Sequence, residues 1–317
     1  MIIGIDLGGM SAKAACVYGE KLLGKTAVET SSGNSVEETV CALARLCEKT
    51  AGNAGIPFEE IEAIGVGAPG IIDSGSGNVV SWSNFGWKDV PLAEKLSELT
   101  KKPVFVLNDA NAAALGEAAF GAGKKFQDSI LITLGTGVGG GIVIGGRLFE
   151  GYKSAGAEIG HMVIRQGGKA CSCGRKGCLE AYASTRALIA RTEEEIMAHP
   201  ESILSRIKVE WGSVDGRTVF LALKEDDETA KRVFAEYVAA LGEGILNLVN
   251  LFRPQAVMIG GGISAEGETL LAPLREYVRR DLYAAEYAPL EILAAKLKND
   301  AGIFGAAQFA REKIYAK

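Results

Sequence analysis

Three of the chain's six cysteines and one of its two histidines fall in one short stretch, in the order His161, Cys171, Cys173, Cys178. Three thiolates and an imidazole are the ligand count and type of a closed tetrahedral structural zinc site. A Cys-x-Cys pair followed after four residues by another cysteine, with Gly174 and Gly177 between, suits a tight knuckle around a metal. Buried free cysteines favour regular apolar elements, whereas these stand among Gly, Lys and Arg, which points to ligation. Two carboxylates, Glu158 and Glu180, flank the cluster and would remain free to bind something else.

Glycine offers a second chemistry. Gly8-Gly9, Gly135 to Gly141 and Gly260 to Gly262 each follow an apolar run that reads as a strand. Backbone N–H groups at strand ends, unobstructed by side chains, can approach phosphate oxygens closely, so three such clusters predict a nucleotide site. Residues 135–140 also match G-x-G-x-x-G, but the dinucleotide fingerprint needs a helix next, and the residues that follow, GIVIGGRLF, are β-like. Residues 19–26, GEKLLGKT, match G-x-x-x-x-G-K-[ST] by letter, but a P-loop runs straight into a helix, and 22–28 read as a strand, so a P-loop is excluded.

Isolated charges near these clusters admit two readings each. Asp6 is either a turn-stabilising acid or a group facing a phosphate-bound Mg²⁺, a cation that takes one or two carboxylates and keeps most of its waters. Lys13 is either a solvated strand charge or a phosphate contact. Asp109 stands before an alanine-rich run and is either a plain N-cap or a reactive carboxylate that the helix N-terminus keeps ionised, with Asn108 beside it as a second polar contact.

The elements that must hold these residues form a repeating pattern. Residues 2–6, 12–18 and 22–28 read as a β-meander turned at Gly8-Gly9 and Gly19. Ser35 and Glu38 form a capping box, and Val36, Val40, Leu43 and Cys47 recur at helical spacing, so Cys47 is a core residue. Strands are expected over 61–67 and 104–107, a polar aromatic loop over 81–87 and a helix over 110–120. A second meander follows: strand 129–134, glycine loop 135–141, strand 142–144 and strand 147–149. Two such units suggest a duplicated α/β fold. Helices are expected over 179–199 and 217–252, a strand over 256–259 and a last helix over 302–315.

Composition narrows the class. Net charge is −5, with 34 basic and 39 acidic residues and no dense basic block, which disfavours a nucleic-acid partner. The uncharged run 129–146 approaches a membrane span in length, but its glycines make a poor lipid-facing helix, and no membrane association is expected. The start, MIIGIDLGG, reads as a strand and not as a targeting leader. Clustered cysteines beside a histidine favour a reducing compartment, so cytoplasm is the expectation.

Taken together, the residues resemble a bacterial ROK-family sugar kinase of the glucokinase kind over nearly the whole chain. The matching stretches are IGIDLGG (3–9), GVGAPGIID (65–73), NDANAAALGE (108–117), LGTGVGGGIV (134–143), GAEIGHM (156–162), CSCGRKGCLEAYAS (171–184), IGGGIS (259–264) and NDAGIFGAA (299–307). GAEIGHM with CxCGxxGCLE is specific to that family, whereas the glycine loops belong to the wider actin/hexokinase superfamily. The resemblance implies two RNase H-like domains with an interdomain cleft. Residues 1–108 would form a small domain on which a C-terminal helix, about 302–317, packs back, and residues 109–301 a large domain with the zinc loop.

It further implies ATP-dependent phosphorylation of a hexose 6-hydroxyl, glucose first, with Asp109 as general base. Asn84, Asn108, Asp109, Glu158, His161 and Glu180 would bind the sugar. His161, Cys171, Cys173 and Cys178 would hold structural Zn²⁺. Asp6, Gly8, Gly9 and Lys13 would face the phosphates and Mg²⁺, Gly135, Thr136 and Gly137 would form the second phosphate loop, and Gly260, Gly261 and Gly262 would lie against the adenosine. A homodimer is the expected assembly. The family's first loop usually reads D-x-G-G-T; Met10 stands here in place of the threonine, followed by Ser11. N-acetylmannosamine, allose or fructose are alternative substrates. A sugar-responsive repressor is the alternative of another class, set aside because no DNA-binding helix-turn-helix precedes the first strand.

Overall fold

In the computed structural model, residues 1–315 are described. The chain opens with β1 (Ile2–Leu7), β2 (Ser11–Tyr18), β3 (Lys21–Glu29) and helix α1 (Val36–Asn53). Then come β4 (Ala63–Ala68), β5 (Ile71–Asp73), β6 (Asn78–Trp82), β7 (Trp87–Val90), α2 (Leu92–Thr100), β8 (Val104–Asn108) and α3 (Asp109–Phe120). The next strands are β9 (Ser129–Leu134), β10 (Val138–Ile144) and β11 (Arg147–Phe149). Helices α4 (Glu180–Ala183), α5 (Thr185–Ala198), α6 (Ile203–Trp211), α7 (Thr218–Lys224) and α8 (Glu228–Phe252) follow. The chain continues through β12 (Ala256–Gly261), α9 (Glu268–Asp281), β13 (Glu291–Ala294) and α10 (Ala301–Tyr315). Among the described residues, no helix is long and apolar enough to cross a membrane.

Two five-stranded sheets repeat one plan. The first runs β3-β2-β1-β4-β8 and the second β11-β10-β9-β12-β13. In the first, β1 pairs antiparallel with β2 and parallel with β4, which continues in parallel to β8. In the second, β12 pairs in parallel with both β9 and β13, while β10 and β11 form the antiparallel end. Central parallel strands are covered on both faces, and so β1 and β4 read as near-continuous apolar runs.

The chain divides into two compact units, residues 1–127, 141–157 and 296–317, and residues 128–140 and 158–295. Helix α3 therefore groups with the first unit, and not with the large domain that the sequence boundary at 108/109 assigns it to. The reason is its contact with α10. A Cβ on Gly305 would overlap the Ala112 carbonyl, and one on Gly116 would overlap that of Ala301, so the helices meet backbone to backbone. Gly4 and Gly65 let α10 lie equally close over β1 and β4. Residues 316 and 317, placed by the sequence in this helix, lie outside the described residues.

Two expectations need correction. The stretch 81–87 is not a polar loop: Trp82, Phe85 and Trp87 are buried, with Trp82 and Phe85 stacked at 3.9 Å and Trp87 edge-on to both. They form the apolar side of an additional sheet, β5-β6-β7, because stacked rings bury more area than separate exposed ones. The second glycine loop is also shorter than expected. Strand β10 starts at Val138, so Gly139 to Gly141 are strand residues, and bare backbone at Gly140 admits the Ile159 side chain.

Candidate active site

In the first unit the site begins where β1 ends. Asp6 lies opposite Lys13 across the β1–β2 pair, and the backbone of Gly302 passes its carboxylate. Burial raises the Asp6 carboxyl, the Asp109 charge raises it further, Lys13 opposes, and Asp300 adds a smaller upward push; the result is a pKa of about 6. The Gly8-Gly9 turn closes on itself, Gly8 N–H donating to Ser11 O at 2.9 Å. Thr30, buried at the end of β3, holds it from behind: its hydroxyl donates to Gly8 O at 2.8 Å and its N–H to Met10 O at 3.1 Å. No sequence signal marks Thr30, because the contact spans twenty-two positions. The Met10 side chain is 86% exposed, so the substitution costs the loop no packing.

Asn108 caps α3. Its Oδ1 accepts from Ala110 N–H at 2.9 Å and Asn111 N–H at 3.1 Å, and its amide donates to Gly70 O at 3.1 Å. Asp109 is thus the first helical residue and not the cap, with Oδ1 accepting from Ala110 N–H at 2.9 Å. The helix start does not hold this carboxylate at an ordinary acidity. Burial pushes its pKa up, and the bonds from the backbone and from Asn108 only partly oppose that. A carboxylate made more basic by burial is what proton abstraction near neutral pH requires. Asn84 is exposed in a single 3₁₀ turn between the buried rings of Trp82 and Phe85, which fix its backbone.

In the second unit, Gly135 to Gly137 form the turn after β9. Gly135 N–H donates to Gly137 O at 3.0 Å, and Gly135 O accepts from Thr185 N–H at 2.8 Å. Gly260 to Gly262 end β12, where Gly261 at φ +85° presses against the Leu134 carbonyl. His161 closes a 3₁₀ turn that starts beside Glu158, its N–H donating to Glu158 O at 3.0 Å; Glu158 itself is exposed.

The four expected ligands converge: the donor atoms of His161, Cys171, Cys173 and Cys178 lie within 4.8 Å of one another. Cys171 Sγ is 3.5 Å from His161 Nδ1, and Cys173 Sγ is 3.7 Å from Cys178 Sγ. Tetrahedral bonds of zinc length would set these separations at about 3.6 Å and about 3.8 Å, so the donor set fits that ion. Gly174 and Gly177, at φ +86° and +85°, turn the backbone between ligands, with Gly174 N–H donating to Cys171 O at 3.0 Å. Glu180, buried at the start of α4, accepts from Ser172 Oγ at 2.7 Å and from Val138 N–H at 3.1 Å.

A doubled α/β fold with glycine turns at its strand ends is the actin/hexokinase-like architecture. The profile of the ROK family matches residues 2–313, and the chain belongs to that family. It is 36% identical over 315 residues to a glucokinase of Thermotoga maritima, covering 99% of this chain and 98% of that protein. It is 38% identical to a ROK family glucokinase from Streptomyces griseus solved in complex with glucose and AMPPNP, with a TM-score of 0.79 over 98% of this chain and 99% of that one. It is also 35% identical to a xylose repressor of Caldicellulosiruptor bescii, over 96% of this chain and 76% of that longer protein.

Proposed function

We propose that this protein is an ATP-dependent hexose kinase that phosphorylates the 6-hydroxyl of glucose. The observation that carries this is Asp109, a carboxylate made basic by burial, in a chain similar over its whole length to a glucokinase solved with glucose and an ATP analogue. Asp109 takes the proton of the attacking hydroxyl, as a base within reach of the nucleophile must. Asn84, Asn108, Glu158, His161 and Glu180 bind the sugar hydroxyls. The carboxylates accept from hydroxyl pairs, and His161 can offer Nε2 because its Nδ1 faces the thiols.

Gly8, Gly9, Gly135, Thr136 and Gly137 present backbone to the phosphates, with Lys13 as a cationic contact, and Gly260 to Gly262 lie against the adenosine. Asp6 orients the hydrated Mg²⁺ that would neutralise phosphate charge during transfer. Zinc held by His161, Cys171, Cys173 and Cys178 would serve structure alone, fixing the imidazole and the loop around it. The same proposal takes the cytoplasm as compartment, where thiols stay reduced, and a homodimer as assembly.

The test is a coupled ADP-release assay with ATP and Mg²⁺ over a panel of hexoses and N-acetylhexosamines. Glucose should give the highest kcat/KM, and turnover on none of them would refute the enzyme. The 35% identity to a xylose repressor supports a second reading, a sugar-sensing regulator. Sugar binding without ADP release from any sugar would select it.

A further inference from the structure

Ser172 stands between two of the four metal-ligand residues yet supplies no ligand atom. Its hydroxyl donates to Glu180 Oε1 at 2.7 Å, a short charge-assisted bond. The other oxygen of that carboxylate accepts from the N–H of Val138, the residue directly after the Gly135–Gly137 turn. Gly137 lies so close to the same oxygen that any Cβ would overlap it. Glu180 is buried, so its bond from Val138 operates away from competing water, whereas the bond from the exposed Ser172 is only partly shielded. Arg186 approaches Oε1 only to 3.9 Å, too far to substitute for the serine. The turn's other end is held by Thr185 N–H on Gly135 O at 2.8 Å. The turn is therefore gripped at one end by the start of α5 and at the other by a carboxylate anchored in the knuckle.

We propose that Ser172 is a positioning residue that couples the Cys/His knuckle, through Glu180, to the second glycine turn. Nucleotide affinity then depends on this serine and on metal occupancy, and the knuckle is more than a support for sugar recognition. The link from turn to nucleotide rests on the kinase reading; the link from knuckle to turn does not. Two measurements separate them. Amide exchange of a peptide spanning residues 133–141 reads the turn directly, and titration with AMPPNP reads the consequence.

Ser172→Ala should retain the wild-type zinc content, exchange faster at Val138 and bind AMPPNP about tenfold more weakly, the loss expected for one hydrogen bond to a charged group. Ser172→Thr, which keeps the hydroxyl, should restore both. Removing the metal from the wild type with a chelator should speed the same exchange. Unchanged exchange in Ser172→Ala, or loss of zinc from it, overturns the coupling. Faster exchange with unaltered AMPPNP affinity overturns its bearing on nucleotide. A wild type that binds no AMPPNP counts against the kinase reading, and exchange still decides the coupling.

Discussion

Replacing Asp6 with asparagine should stabilise the protein, and increasingly so as pH rises. The folded-state pKa is raised from an ordinary 3.8 to about 6, first by burial and then by the Asp109 charge. A shift of roughly two units corresponds to about 3 kcal/mol against the ionised form. The sign follows from proton counting. Between pH 3.8 and about 6 the folded protein retains a proton that the unfolded chain has released, so stability falls as pH rises through that window and levels off above it. Asparagine keeps the shape without the charge.

Wild type and variant should therefore melt together near pH 4. Their difference should then grow to at most about 3 kcal/mol at pH 8, or about 6–12 °C at about 2–4 °C per kcal/mol. Melting curves between pH 4 and 8, without added magnesium or nucleotide, measure it. A difference that does not grow between pH 5 and 7, or a wild type that is the more stable at pH 8, would refute the burial argument. The gain in stability should come with a loss of MgATP turnover, the cost of holding a charge where phosphate chemistry needs it.

Asp109→Asn should lower kcat at least about 10³-fold while glucose affinity measured by calorimetry stays within severalfold, because the amide keeps the contacts and loses the base; equal loss of both would count against a catalytic role. Cys173→Ser should drop bound zinc well below one per chain, and glucose affinity with it, since His161 loses its fixed orientation; full zinc content would refute the ligand set. Gly305→Ala should be strongly destabilising, by about 3 kcal/mol or more in denaturant melts, because its Cβ overlaps the Ala112 carbonyl and backbone cannot rotate away. A change under about 1 kcal/mol would show that α3 and α10 can part without cost.

What the sequence determined by itself is local. The Cys-x-Cys spacing with its two glycines, the Ser35–Glu38 capping box and the strand–glycine–strand rhythm each depend on neighbours a few residues apart, and each is present, although the second glycine turn gives way to strand at Val138, earlier than expected. Periodicity reaches that far because backbone geometry is set by adjacent residues. Tertiary structure decided what depends on distant partners. Trp82, Phe85 and Trp87 read as a polar aromatic loop until their rings stack into a buried cluster.

Asp109 reads as an acid kept ionised by its helix, and only the enclosing atoms reverse the direction of its pKa. Thr30 gives no local sign that it holds Gly8, nor Ser172 that it reaches Val138 through Glu180. Helix α3 belongs with the first unit because two glycines far apart in the chain, Gly116 and Gly305, remove the side chains that would keep it from α10. Burial, desolvation and close backbone approach are properties of surroundings, and the surroundings of a residue are assembled from the whole chain.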